Sequence, residues 1–97
     1  MTINPLYQKK IVDTISKYLP ECSIYLYGSR ARQTHASGSD VDIALDNKTP
    51  IKASILANIR ADLDGTTIPL MIDIVDAHAI DNDFLMVIKK DWITWKK

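Results

Sequence analysis

The stretch LYGSRARQTHASGSDVDIAL, residues 26–45, decides how this chain folds. An apolar run ends in Gly28-Ser29, ten residues intervene, and a second apolar run opens with Asp40 and Asp42. Aspartate is disfavoured in strands. Yet Asp40-Val41-Asp42 leads straight into Ile43, Ala44 and Leu45, which read as a strand. Residues two apart in a strand point the same way and lie about 6.6 Å apart. Asp40 and Asp42 therefore face one side, and Val41 and Ile43 face the other. Something must compensate two carboxylates at the mouth of a buried strand.

Two more strands flank this one in the chain. SIYLYG, residues 23–28, carries Ile24 and Leu26 with the β-favouring Tyr25 and Tyr27. PLMIDIVD, Pro69 to Asp76, places Asp73 in the middle of an apolar run, with Ile72 and Ile74 pointing away from it. Asp76 lies three residues on, so in a strand it faces the opposite side from Asp73.

Helical spacing fills the gaps. Tyr7, Ile11, Ile15 and Tyr18 form one stripe, which Pro20 closes. Ile51, Ile55, Ile59 and Leu63 form a second, between Pro50 and Gly65. A third begins near Asp83, as N-cap, and runs through Phe84, Leu85, Val87 and Ile88. A short fourth helix follows Gly28. The order α-β-α-β-α-β-α predicts an α/β (α+β) sheet covered by helices, in one domain over residues 1–97.

A lone aspartate in the run around Asp73 is expensive to bury unpaired. Three carboxylates on one face of a sheet also repel one another. A divalent cation resolves both difficulties. Magnesium takes oxygen ligands, usually one or two carboxylates plus substrate phosphates and water. Two such ions about 3.5–4 Å apart stabilise the attacking and leaving oxygens of a displacement at phosphorus. Gly28-Ser29 stands where a strand gives way to a helix, a place where backbone N–H groups and a hydroxyl hold phosphate. The bland alternative is that the aspartates cap turns or pair with Arg30, Arg32 or Lys48. Other D-x-D chemistries fit less well. An EF-hand loop needs a ligand at Ala44 and glycine at Leu45. No P-loop pattern is present. His35 and His78 have no partner at metal-binding spacing, and read as a loop residue and a surface residue.

Composition narrows the class. Twelve basic and twelve acidic residues give zero net charge, so the chain lacks the basic excess of a general nucleic-acid binder. Lys89, Lys90, Lys96 and Lys97 read as a solvated basic end. Cys22 is the only cysteine, which excludes an internal disulfide and a cysteine-rich zinc site. The N-terminal residues MTINPLYQKK have no signal-peptide apolar core, and no apolar run approaches the roughly 20 residues that span a bilayer. The expected location is the cytoplasm.

Gly28-Ser29, ten residues, then Asp40-x-Asp42 resembles the G-S-x10-D-x-D signature of the minimal nucleotidyltransferases, in the polymerase-beta-like nucleotidyltransferase superfamily. The likeness extends over YGSRAR, SDVDIAL, IDIVDA and the flanking helices. It implies a small mixed sheet flanked by helices. It implies that Gly28, Ser29 and Arg30 bind the nucleotide, and that Asp40, Asp42 and Asp73 are catalytic and hold two Mg²⁺ ions. Members of this size are often paired with a HEPN-domain toxin. The resemblance therefore implies transfer of AMP from ATP to a hydroxyl, a tyrosine's in some pairs, of such a partner. A binding module that neutralises its partner by contact is the competing reading, and transfer to a nucleic acid is disfavoured by the neutral charge. One position departs from the pattern. Gln33 stands where the family often has glycine. Either Gln33 takes φ > 0 at a cost of about 1 kcal/mol, or the helix runs on and turns later near Gly38.

The chain closes with DWITWKK. Trp92 and Trp95, three residues apart, cannot share one face of a strand. The reading favoured for a small domain is that one or both fold back and close this domain's own core. The alternative is that, in an extended end, at most one is core and the other is exposed and meets a partner.

Overall fold

A computed structural model describes residues 3–97. Asn4 starts the first helix: its side-chain oxygen accepts from the Leu6 N–H at 2.9 Å, and proline occupies the first turn. The elements follow as α1 (Pro5–Tyr18), β1 (Ser23–Tyr27), α2 (Ser29–Arg32), β2 (Val41–Asp46), α3 (Ala53–Asp64), β3 (Ile72–Asp76), α4 (Asn82–Lys89) and β4 (Ile93–Lys96). The expected order is present, with one strand added at its end.

The four strands form one mixed sheet in the order β3-β2-β1-β4. β1 pairs antiparallel with both β2 and β4, while β2 and β3 are parallel and joined through α3. Strand alternation sorts the side chains. Ile24, Leu26, Val41, Ile43, Leu45 and Ile74 join Ile11, Ile15, Ile59 and Leu63 of α1 and α3 in the main core. Each such fully buried aliphatic side chain contributes about 1.5–3 kcal/mol. Tyr27, Ala44 and Ile88 form a smaller cluster on the other face, with Tyr25, Val75, Leu85 and Trp92 packed around them. α4 thus covers the second face.

α1 and α3 are also joined at their surface. The Tyr18 hydroxyl and the Lys17 ammonium donate to one Asp62 oxygen at 2.7 and 3.0 Å. That hydroxyl, then the ammonium, holds the Asp62 carboxyl below its ordinary range.

Several boundaries differ from the sequence reading. β3 begins at Ile72 rather than Pro69. Asp40 lies one residue outside β2. The N-cap of α4 is Asp81, not Asp83, which lies in the first turn.

The larger difference is the tail. Beyond the closing helix the chain adds β4 along the open edge of β1, through Leu26–Ile93, Tyr25–Thr94 and Ile24–Lys96. Four residues are too few for a clear alternation, so only the free edge of β1 reveals them as a strand. The two tryptophans part to opposite faces, as their spacing requires. Trp92 stacks on Tyr25 with centroids 3.9 Å apart and planes at 6°. Trp95 packs against the main core, at the irregularity in the β1–β4 ladder. Both are half-buried against this chain's own sheet, so both fold back to close its core, and the alternative of one tryptophan left exposed for a partner is not the one the chain takes. The solvated end holds for Lys89, Lys90 and Lys97, which are exposed, but not for Lys96, which donates to the Ser16 hydroxyl at 3.0 Å and the Pro20 carbonyl at 2.6 Å. Among the described residues no helix is long and apolar enough to cross a membrane.

Candidate active site

The parallel register of β2 and β3 sets Asp42 directly beside Asp73. The antiparallel register of β1 and β2 sets Tyr27 on the other side of Asp42. Tyr27, Asp42 and Asp73 therefore form a row across three strands, on the face that α4 covers in part. Tyr27 is buried, and its ring meets Phe84 of α4 edge-on at 6.0 Å. Phe84 is itself half-exposed at the edge of this row.

Gly28 ends β1 with φ of 78°. A Cβ built there would overlap the Asp42 carboxylate. Glycine is required at this position twice over, once for the backbone angle and once for the space the carboxylate fills. Ser29 opens α2, a single turn, which closes on Gln33 in the left-handed region at φ 58° and ψ 34°. The first of the two routes foreseen for the loop is the one the chain takes. Its strain is offset in part by the Thr34 N–H, which donates to the Ser29 carbonyl at 2.9 Å.

Arg30 points into the loop that leads to Asp40. Its Nε and Nη2 donate to the Ser39 carbonyl at 3.1 and 3.0 Å, and Nη2 donates to the Ser37 carbonyl at 3.1 Å. The side chain is buried. Asp40 follows immediately, exposed, and the next residue enters the sheet through Val41 N–H to the Met71 carbonyl at 2.8 Å.

The electrostatics are those of crowded acids. Burial, first, and then the charges of Asp73 and Asp40 push the Asp42 carboxyl above its ordinary value, while Arg32 pulls it down. Burial, followed by Asp42 and Asp73, pushes the Tyr27 hydroxyl up to about 12. The carboxylates outweigh the one cation that moderates them. Such a set fits a hard divalent cation, which prefers oxygen ligands and rewards clustered negative charge. Among the described residues no three acidic, histidine or cysteine side chains are grouped so that they could hold a metal ion, so the expected set of Asp40, Asp42 and Asp73 is not assembled by the protein alone. A magnesium ion usually completes its shell with phosphate oxygens and water, so an open arrangement is compatible with it.

Asp76 stands apart, as the alternation of β3 requires. It is buried on the α3 side and accepts the Ile51 N–H at 2.8 Å and the His78 N–H at 2.9 Å. His78 pairs with Asp46 at 2.7 Å, and His35 lies in the loop before β2. A cleft of about 560 Å³ opens elsewhere, between α1 and α3, beside Lys10, Asp13, Lys17 and Asp62. It contains none of the crowded carboxylates. Its Asp62 is already satisfied by hydrogen bonds, so the charge imbalance, and not the size of a cleft, marks the candidate site.

Sequence reasoning missed Tyr27 at this site and named Arg32 only as one of three cations that could pair with the aspartates. Tyr27 was legible. Ile24 and Leu26 belong with Val41 and Ile43, so Tyr25 and Tyr27 fall on the face of Asp42. Which aspartate Arg32 faces had no signal, because its closeness to Asp42 depends on where Gln33 turns the chain.

Residues 9–94 match the family model described as polymerase beta, nucleotidyltransferase. A Haemophilus influenzae protein named "Probable protein adenylyltransferase MntA" is 25% identical over 84 residues, spanning 86% of this chain and 74% of that protein. A solved toxin–antitoxin structure with AMP-PNP superposes with a TM-score of 0.77 at 20% identity, over 91% of this chain and 71% of that one. A complex of tri-AMPylated Shewanella oneidensis HEPN toxin with MNT antitoxin gives 0.74 at 19% identity, over 98% of this chain and 71% of that one. At these identities the solved structures establish the fold.

Proposed function

This chain belongs to the polymerase beta nucleotidyltransferase family, and on that premise we propose that it is a Mg²⁺-dependent protein adenylyltransferase. It moves AMP from ATP to a hydroxyl, a tyrosine's, on a HEPN-domain toxin, and so acts as that toxin's antitoxin in the cytoplasm. Its 97 residues serve as one nucleotidyltransferase domain. The relative named as an adenylyltransferase and the toxin–antitoxin neighbours support this reading.

The observation that carries it is the in-register pair of Asp42 and Asp73, with Gly28 pressed against Asp42. In this reading Asp40, Asp42 and Asp73 hold magnesium, which when bound offsets the charge of the triphosphate and of the displaced pyrophosphate. Gly28 leaves room for the Asp42 carboxylate itself, next to the turn where the phosphates would bind. The Ser29 hydroxyl, at the start of α2, binds a phosphate oxygen. Asp73 takes the proton of the attacking hydroxyl as that oxygen bonds to the α-phosphorus and pyrophosphate leaves. Tyr27 walls the Asp42 end of the row, while Asp73 and Asp40 stand open to solvent, where a partner's hydroxyl would approach. Arg30, expected to bind nucleotide, serves here by holding the loop.

The test is the intact mass of the HEPN-domain partner after incubation with this protein, ATP and Mg²⁺. Additions in steps of one AMP support the reading. A partner neutralised with no added mass would leave an antitoxin that acts by contact alone, and transferase activity would be rejected.

A further inference from the structure

Asp42 and Asp73 owe their direction to the sheet. Each sits at a paired position of the β2–β3 ladder, and Asp42 is paired on its other side with Tyr27. Asp40 has only half of such support: the ladder starts one residue later, at Val41 and Ile72, so the Val41 N–H bond to the Met71 carbonyl fixes the peptide after Asp40 and nothing in the sheet fixes the one before it. The backbone on that side must be held by something else. The carbonyl immediately before it, that of Ser39, accepts two N–H groups of one side chain, Arg30. A third bond runs from the same guanidinium to the Ser37 carbonyl. Between these carbonyls the loop is closed on itself. Ser39 N–H donates to the Ala36 carbonyl at 3.1 Å, and the Ser39 hydroxyl accepts the Ala36 N–H at 3.0 Å. Arg30 therefore grips a preformed turn, not a loose strand of loop.

The other end of this link is equally fixed. Arg30 lies one residue after Ser29 on α2, whose Arg32 N–H donates back to the Gly28 carbonyl at 3.1 Å. The guanidinium thus joins the Gly-Ser half of the motif to its aspartate half across ten residues of chain. It is 5% exposed. A buried cation needs its donors met, and the planar fork of arginine serves adjacent carbonyls as a single lysine ammonium does not.

We infer that Arg30 is a positioning residue for Asp40, setting the backbone at Ser39 so that the Asp40 carboxylate meets the metal side of the site. The inference rests on the metal role given to Asp40 above. The test is Mg²⁺ titration of ATP binding, read by thermal shift and by calorimetry, on the wild type, Arg30→Lys, Asp40→Asn and the double variant. Arg30→Lys is expected to weaken apparent Mg²⁺ affinity by about 10–100-fold, the usual effect of losing a group that orients a ligand. Added to Asp40→Asn it should cost about 2-fold or less, since the group it acts through is already altered. The same loss in both backgrounds, or no loss in the single variant, overturns the inference while leaving the nucleotide site in place. A wild type with no Mg²⁺-dependent ATP binding overturns the reading beneath it as well. Each variant is melted first. Arg30→Gln replaces Arg30→Lys should the latter not fold, and collapse of both would make Arg30 a folding residue and overturn the inference.

Discussion

The two ends of β2 hold aspartates on the same face, four residues apart, in opposite circumstances. Asp46 accepts the Lys48 N–H at 3.0 Å and pairs with His78 at 2.7 Å, and the Lys48 bond, first, holds its carboxyl below the ordinary range. On the other face at this end, Asp76 accepts two backbone N–H groups. At the opposite end Asp42 gathers carboxylates instead of donors, and its carboxyl is raised. One residue type on one strand is settled where the protein supplies the donors and left in crowded charge where it withholds them. Withholding them costs stability, which is the usual cost of a working site.

The largest expected effect tests that cost. Asp42→Asn should lower AMP transfer by about 10²-fold or more, measured by mass spectrometry of the partner. The same variant should melt at a higher temperature than the wild type at neutral pH. The sign follows from linkage: a raised carboxyl leaves the folded state more protonated than the unfolded one, so stability falls as pH rises through that value. The advantage of the variant should therefore fade below the ordinary value of 3.8. A variant that melts lower at neutral pH would break the contrast.

Asp73 and Asp76 repeat the comparison three residues apart. Asp76→Ala strands two N–H groups, and should cost about 2–3 kcal/mol of stability while the folded fraction keeps its activity. Asp73→Asn should do the reverse, losing about 10²-fold in transfer with little change in the melt. An exchange of these phenotypes would mean that the register of β3 is off by one.

At the satisfied end of β2 the same substitution should change sign. Asp46→Asn removes a charge that the fold favours, and should cost about 0.5 kcal/mol at neutral pH because the pair is partly exposed. A lowered carboxyl contributes stability that is present above 3.8 and lost as pH falls through its folded value, so wild type and variant should converge in acid. Matching denaturation curves at neutral pH would remove Asp46 from the contrast.

The smallest effect concerns the loop between the halves of the motif. Gln33→Gly should raise stability by about 0.5 kcal/mol, the left-handed strain relieved less the extra freedom of glycine in the unfolded chain. A loss of stability would show that the Thr34–Ser29 bond already offsets that strain.

Much of this was legible beforehand. Alternation placed Ile43 and Leu45 in the core and Asp42 on the other face, and three-residue spacing separated Asp73 from Asp76. Spacing of four placed Ile11 and Ile15, and Ile59 and Leu63, on the buried sides of α1 and α3. β4 was not legible, because four residues carry too little periodicity and their partner is more than sixty residues away in the chain. The place of Tyr27 at the site was missed, and the aspartate that Arg32 faces was left open, for a related reason, since each depends on what lies across from it.

What lies within one turn or one strand follows from the order of residues alone: the helical stripes, the alternating faces, the glycine before the serine and the spacing of the two aspartates. These follow from the fixed rise and rotation of the backbone, which covalent geometry imposes wherever the chain happens to pack. Only the tertiary structure decided that Asp42 stands beside Asp73, that Gly28 presses on a carboxylate, that Arg30 grips Ser39, and that the two tryptophans close opposite faces of one sheet. Those are pairings between distant segments, chosen by which edges and cavities remain once the local pieces assemble, and local spacing carries no record of them.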